Sequence, residues 1–394
     1  MENNNDNKVL NVPHLRFPEF SGEWKRVELK DVAEFQKSRI PADSLDASCY
    51  ISTENLIPNF GGIKEASSIP TDGNVMAIKP NDILISNIRP YLKKVWQSDR
   101  FGGCSADVFV LRTTRCQSDF LYNIIASDKF INYAMSGAKG VKMPRGDKRQ
   151  MEEFEFSIPA IEEQNRISRL LSLLDERIAT QNKIIKDLKK LKSAIVEMLL
   201  CNRNSELLKL GDIGYFVRGL TYANEDVTEN KAATAVIRAN NLNYGNHVDK
   251  GEVVYVSRTP ATSQILRKGD IVICMANGSS ALVGKNSYYP FNDGQSTVGA
   301  FCGIYRTSHP LAKWLMQSRR YKRLVYQSLQ GGNGAIANLN GDDILNMSFP
   351  VMEKEKSKSI IFILETIEKT LAVNKCLQMS CSTQKSHLLK QMFI

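Results

Sequence analysis

Two stretches of this chain collect side chains suited to bonding with base edges and phosphates. The first follows the apolar run Ile83-Leu84-Ile85 and offers Ser86, Asn87, Arg89, Tyr91, Lys93 and Lys94. The second runs from Lys139 to Arg149 and carries Lys139, Lys142, Arg145, Lys148 and Arg149 among glycines. Guanidinium and amide donors beside an aromatic are what groove edges and phosphate oxygens require. A solvated basic loop is the competing reading. Later in the chain, Asn277, Ser279, Ser280 and Lys285 follow Ile271-Val272-Ile273 in the same way. The counterpart of the basic loop there, Gly331 to Asn340, is uncharged but holds the amides Asn333, Asn338 and Asn340. Arg218, Tyr222, Arg238, Asn240 and Asn241 are further candidates, each with a core-edge or turn role as the alternative. The earlier surface would lean on Arg and Lys, the later one on Asn and backbone.

Catalytic patterns are missing. A methyltransferase acting on an exocyclic amine carries Asn/Asp-Pro-Pro-aromatic beside a glycine-rich loop, and this sequence has no Pro-Pro. The stretch Gly278 to Asn286 resembles a phosphate loop, but one residue too many separates its glycines and Asn286 replaces the metal-binding Ser/Thr. Cys49, Cys104, Cys116, Cys201, Cys274, Cys302, Cys376 and Cys381 form no C-x-x-C pair, and the four histidines are scattered. Zinc ligation and a Ser/His/Asp triad find no footing. Reduced thiols fit a cytoplasmic protein. The net charge of +10 and pI of about 9.1 suggest an acidic partner. No secretory signal is expected from the polar, acidic residues Met1 to Asn7, and no window is apolar enough to span a membrane.

The elements that carry these residues occur twice. Leu29-Lys30-Asp31-Val32 leading to Phe35 returns as Leu210-Gly211-Asp212-Ile213 leading to Phe216. Tyr50 to Leu56 matches Val236 to Leu242, and Lys79-Pro80-Asn81-Asp82 before an apolar strand matches Arg267-Lys268-Gly269-Asp270. Leu111-Arg112-Thr113 echoes Tyr305-Arg306-Thr307, and Phe156 to Pro159 echoes Met347 to Pro350. The order is constant, while the offset drifts between 181 and 194 as loop insertions would make it. Short β-branched runs broken by Gly, Asn, Pro and Asp predict strands and turns. Helices are predicted over Asp119 to Met135 and Leu311 to Leu329. Each module is α+β.

After each module the texture changes. From about Glu162 to Leu200 the chain has neither proline nor glycine, and Leu171, Leu174, Ile178, Gln181, Ile185, Leu188, Lys192, Ile195 and Leu199 alternate by three and four. That is the coiled-coil period, and about 40 residues make a rod of roughly 60 Å. After Pro350 a second seam runs through Ile360, Leu364, Ile367, Leu371, Asn374, Gln378, Cys381, Lys385, Leu388 and Met392. The rods pair with each other, antiparallel about a pseudo-twofold axis, or pair between chains. Lys183, Lys186, Lys189, Lys190 and Lys192 on the first rod read as a solvated face or as contacts to a nucleic-acid backbone. The expected boundaries are module one 1–159, rod one 160–202, module two 203–350 and rod two 351–394.

This layout resembles the specificity subunit of type I restriction–modification systems. The phrase Pro13-His14-Leu15-Arg16-Phe17-Pro18-Glu19-Phe20 with Gly22-Glu23-Trp24 is typical of that family, as is Ile158-Pro159 followed by Glu162-Glu163-Gln164 and Ile167. The second copy departs, since Pro350 is followed by Glu353-Lys354-Glu355 without the Gln. The resemblance implies two target-recognition domains reading the halves of a split, asymmetric DNA site, with antiparallel helices setting the unread gap. It implies no catalysis or cofactor in this chain, docking to two methyltransferase subunits that use S-adenosylmethionine, and, in the full complex, restriction subunits that use ATP with Mg. The rival readings are a self-acting DNA-modifying enzyme with an undetected site and an oligomerising scaffold without a DNA role.

Overall fold

The structure, a computed structural model, describes residues 11–200, 206–329 and 337–393. The chain divides into two compact units, Met1–Asn182 with Cys376–Ile394, and Lys183–Lys375. Each holds one module and part of each long helix. No described helix is long and apolar enough to cross a membrane.

In unit one, the antiparallel pair Lys25–Glu28 and Glu155–Ile158 closes the module at the head of its long helix. Glu206–Lys209 and Ser348–Val351 do the same in unit two. Between these ends each module builds a four-stranded antiparallel sheet. Its order is Ala33–Phe35, Val108–Thr113, Ile83–Ser86, Val95–Gln97 in unit one. In unit two it is Gly214–Arg218, Cys302–Thr307, Ile271–Cys274, Asn286–Tyr288. Ile83–Ser86 and Ile271–Cys274 are buried along their whole length, which is why they read as unbroken apolar runs rather than alternating ones.

The repeated Asp and Arg explain themselves here. Arg112 grips Asp82 with two bonds of 2.7 Å, and Arg306 grips Asp270 at 2.8 and 2.7 Å. The other lone pair of each carboxylate receives a backbone N–H at the turn, from Lys79 and from Arg267, both at 2.8 Å. Both aspartates are buried, so the planar two-pronged donor is what makes the charge tolerable. Each turn needs a left-handed residue just before the aspartate, supplied by Asn81 (φ 72°) and Gly269 (φ 103°).

A second four-stranded sheet differs between the copies. Both contain one parallel pair, Tyr50–Ile51 with Gly102–Cys104 and Thr234–Ile237 with Ser296–Val298. In unit one Gly102–Cys104 is the inner member of that pair, whereas in unit two Thr234–Ile237 is. Glycine permits the first arrangement: a Cβ on Gly102 would lie 2.1 Å from the Cys49 carbonyl oxygen, and one on Gly103 2.5 Å from Val75. The equivalent strand in unit two carries Ser296 and Thr297 and stays at the edge.

The helical stretches are shorter than the sequence predicts. Each breaks at a serine, giving Ser118–Ile125 and Asp128–Ser136 in unit one, and Ala312–Leu315 and Arg319–Leu329 in unit two. Ser127 accepts from Phe130 N while donating to Ile124 O, and Ser318 does the same with Tyr321 N and Leu315 O. A hydroxyl that serves both turns ends one helix and caps the next.

The long helices span Ile161–Met198 and Lys354–Met392. They pair within the chain, and the pairing is antiparallel in each unit. In unit one Ile167 and Leu171 share a core with Met392, and Asp175 meets Lys385 at 2.7 Å. In unit two Val196 and Leu199 share a core with Ile361 and Leu364, and Lys192 meets Glu368 at 2.8 Å. Lys192 therefore lies in the seam, while Lys183, Lys186, Lys189 and Lys190 are exposed.

The modules are fastened differently. In unit one, Arg16 forks onto Glu163 at 2.8 and 2.7 Å, and the Trp24 indole N–H reaches the same carboxylate at 3.4 Å. Gln164 next to it accepts from Gln117 N at 2.9 Å and donates to Pro159 O at 2.9 Å. The N-terminal phrase and the helix-head phrase thus join at one buried acid. In unit two the fastening lies further along the rod. Lys192 and Lys313 both bond to Glu368, Lys192 donates to Gly245 O, and both ammonium groups lie over the Trp314 ring. Burial opposes the charge on Glu368, yet Lys192 and Lys313 hold its pKa below the usual glutamate value. For Lys192 burial is the largest influence and lowers its pKa.

Candidate nucleic-acid interface

In unit one the chain leaves the central sheet at Ser86, and the two predicted loops come together there. Asn87 is the node: its N–H donates to Asp107 O at 2.8 Å and its carbonyl accepts from Gly146 N at 3.0 Å. Arg89 N donates to Pro144 O at 2.8 Å, and Ile88 forms an antiparallel bridge with Arg145. The result is a short two-stranded ribbon. Arg89, left-handed at φ 52°, and Tyr91 on the following turn are exposed, as are Lys139, Lys142, Arg145 and Arg149. Arg145 is steadied by Asp107 at 3.4 Å, and Lys139 by Asp147 at 2.7 Å.

Other members of the predicted set turn away. Ser86 is buried, and its hydroxyl donates to Ile88 O at 2.9 Å. Lys94 donates to Thr53 O at 2.5 Å, and burial lowers its pKa. Lys148 lies 4.7 Å over the Phe109 ring and 5.4 Å over Phe35, again with burial lowering its pKa. Lys93 is half-buried against Asp128 at 2.7 Å. These amphipathic stems spend their heads on local partners.

Unit two repeats the construction with other side chains. Met275 is the node, donating to Phe301 O at 2.8 Å and accepting from Leu339 N at 2.7 Å. Ala276–Asn277 pairs antiparallel with Ala337–Asn338, forming the same ribbon. Matching the nodes aligns Arg89 with Asn277, Arg145 with Asn338, and Asp107 with Phe301. Beside the ribbon an open cleft of about 610 Å³ gathers four of the predicted residues, Tyr222, Arg238, Asn240 and Asn277, with Asn224 and Phe301. Arg218 is exposed at the end of its strand, outside that lining. Ser279 and Ser280 are exposed, and Asn277 Oδ1 accepts from Ser279 N at 2.9 Å. Lys285 is half-buried. Asn333 lies outside the described residues.

Two amides have structural employment. Asn340 caps the helix Gly341–Leu345, accepting from Asp343 N at 2.9 Å, as Asp147 caps Lys148–Glu152. Asn241 is buried, accepts from Arg238 N at 2.9 Å and donates to Glu252 O at 3.0 Å. Asn55 in unit one makes the matching bonds to Ser52 N and Lys64 O. The phosphate-loop look-alike runs through a single 3-10 turn, Ser280–Leu282, into the strand Asn286–Tyr288 rather than into a helix. It lacks the helix N-terminus that a phosphate needs. Among the described residues no group of three or more His, Cys, Asp or Glu could hold a metal ion.

Sequence reasoning passed over Asp107 and Phe301. A signal for them exists, because each stands five residues ahead of its clamp arginine, Arg112 or Arg306. Phe301 is 65% exposed, which a lone phenylalanine in an unaligned sequence would not suggest.

Residues 21–190 match the family model described as Type I restriction modification DNA specificity domain. The chain is 22% identical to the type I restriction enzyme MjaVIII specificity subunit of Methanocaldococcus jannaschii, over 92% of this chain and 89% of that protein. It is 28% identical to the EcoKI specificity subunit of Escherichia coli K12, over 40% of this chain and 35% of that protein. Among solved structures, the S subunit of a type I system from M. genitalium superposes with a TM-score of 0.61 at 16% identity, covering 97% of this chain and 99% of that one. A chain from a structure of type I complex assembly and conformational transition superposes with a TM-score of 0.51 at 18% identity, covering 94% and 96%. Residues 21–190 thus match the type I DNA specificity domain, and along nearly its whole length the chain is similar to a type I specificity subunit and shares the fold of one.

Proposed function

We propose that this chain reads a split, asymmetric DNA target for a type I restriction–modification complex. Module one (1–159) and module two (203–350) each contact one half, and the long helices (160–202 and 351–394) set the unread gap. The observation that carries this reading is the repeated ribbon: one frame, built twice, presenting Arg89 and Arg145 in one copy and Asn277 and Asn338 in the other. A two-stranded ribbon fits the major groove, and unlike side chains on like frames imply unlike half-sites. Exposed lysines and the net charge of +10 supply salt-sensitive phosphate affinity.

Specificity subunits of this family are non-catalytic. Two methyltransferase subunits would bring S-adenosylmethionine, and restriction subunits would bring ATP with Mg, all in the cytoplasm. Exposed apolar residues on the long helices, such as Leu191, Phe362 and Met379, are the surfaces we assign to docking. Methylome sequencing of cells carrying the complex tests the reading. A two-part motif with adenine methylation and a fixed gap is expected, and a continuous motif would refute it. Purified chain given S-adenosylmethionine and cognate DNA should transfer no methyl group unless other subunits are added.

A further inference from the structure

The ribbons occupy equivalent positions, so their side chains compare one to one. In unit one the ribbon and the turn beneath it present Arg89, Arg145 and Asp107. In unit two the same places hold Asn277, Asn338 and Phe301. Arg89, Arg145, Asn338 and Phe301 are exposed, and Asp107 and Asn277 are half-exposed.

These side chains have distinct complements. A guanidinium forks onto the N7 and O6 of guanine, and a carboxylate accepts from the N4 amine of cytosine. A carboxamide pairs with the N6 and N7 of adenine, and an apolar group packs on the thymine methyl. In unit one the acid and the arginine stand side by side, Asp107 3.4 Å from Arg145, so the two complements of a G·C pair are offered at one place. In unit two the matching turn offers a phenyl ring beside Asn277 on the cleft wall. Arg238 lines that cleft from the turn preceding Ala239–Asn241, off the ribbon, and we assign it to a phosphate.

The geometry points to half-sites of opposite composition: module one reads a G·C pair at its ribbon, and module two reads an A·T pair whose thymine methyl rests on Phe301. This rests on the reading that both ribbons contact bases.

Selection from a randomised duplex library by the full chain tests it. One half-site should contain a G·C position that relaxes in Arg89→Ala or Arg145→Ala. The other should contain an A·T position that relaxes in Asn277→Ala or Asn338→Ala. At the relaxed position, discrimination should fall by about 5- to 150-fold. Replacing that thymine by uracil should weaken wild-type binding by about fourfold, one methyl group's burial, and leave Phe301→Ala unaffected. Asn277→Arg should convert the A·T position to G·C, which guards against a loss caused by misfolding. A two-part consensus in which the arginine variants relax A·T, or in which uracil is neutral in the wild type, would overturn the assignment while leaving the split-target reading intact. A library yielding no consensus would remove both.

Discussion

Unit one holds its module at the head of the long helix, and unit two holds its module along the helix flank. The loop carrying Gly245 (φ 66°) in unit two corresponds to the one carrying Asn59 (φ 57°) in unit one. In unit two it touches the rod through Lys192, in the company of Glu368, Lys313 and Trp314. In unit one the corresponding region is a cleft of about 880 Å³, lined by Asn59, Phe60, Tyr122, Ile178, Lys385 and Leu389 among others. The acid at Glu163, gripped by Arg16 and Trp24, replaces that contact at a different point. Duplicated frames need not be anchored alike. Each holds one acid that its neighbours satisfy, buried at Glu163 and half-buried at Glu368, and the position of that acid is free to move.

The clamps offer the strongest way to break the comparison. Arg306 and Asp270 are 10% and 3% exposed, whereas Arg112 is 28% exposed over Asp82 at 1%. Truncating either arginine strands a buried carboxylate. Arg306→Ala should cost unit two about 3–5 kcal/mol, and Arg112→Ala should cost unit one less, about 2–3 kcal/mol, because water reaches the vacated side. Denaturation curves of the two variants check the ranking, and the reverse order would mean that the clamps are not equivalent parts.

The anchoring acids come next. Glu368→Gln should cost about 2–3 kcal/mol, discounted because the side chain stays 23% exposed. Its pKa is depressed in the folded state, so its contribution is fully present above the ordinary value of 4.5 and is lost as pH falls through the lower folded value. Melting followed from about pH 6 down to pH 3 should show this loss in the wild type and a flatter profile in Glu368→Gln. An unchanged profile would show that the triad does not hold unit two.

Binding effects should be smaller. Arg89→Ala or Arg145→Ala should weaken duplex binding by roughly 1–3 kcal/mol, measured by titration at fixed salt. Unchanged affinity in both would remove the base-contact role of the first ribbon. The smallest effects belong to the caps. Asn340→Ala should cost about 1 kcal/mol of stability, and Asp147→Ala should lower the melting temperature slightly. If Asn340→Ala altered binding while leaving the melting temperature alone, its assignment as a cap would fail.

The frame was legible in the sequence because its requirements are local or repeated. The left-handed turn before Asp82 and Asp270, the three-four seam and the prolines leading into each rod all leave spacing behind. The serine breaks at Ser127 and Ser318 were hidden, because apolar periodicity continues across a hydroxyl that serves two turns. The candidate surface was half legible. Charge density picked out Arg89 and Arg145, which are exposed on the ribbon, but it also drew in Lys94 and Lys148, whose heads are used on Thr53 and on two rings. Only the fold says which long basic side chains turn inward. Phe301 escaped because exposure, not residue type, sets it apart.

One consequence follows from where the clamps sit. Asp82 with Arg112, and Asp270 with Arg306, secure strands whose far ends lead into the ribbons, and no ribbon side chain takes part in either grip. The exposed Arg145 and Asn338 can therefore be exchanged at little cost in folding energy, since surface positions away from buried features change stability by within about 0.5 kcal/mol. A lineage built on this plan can drift to a new target by ordinary point substitution, with each intermediate still folded and still able to assemble.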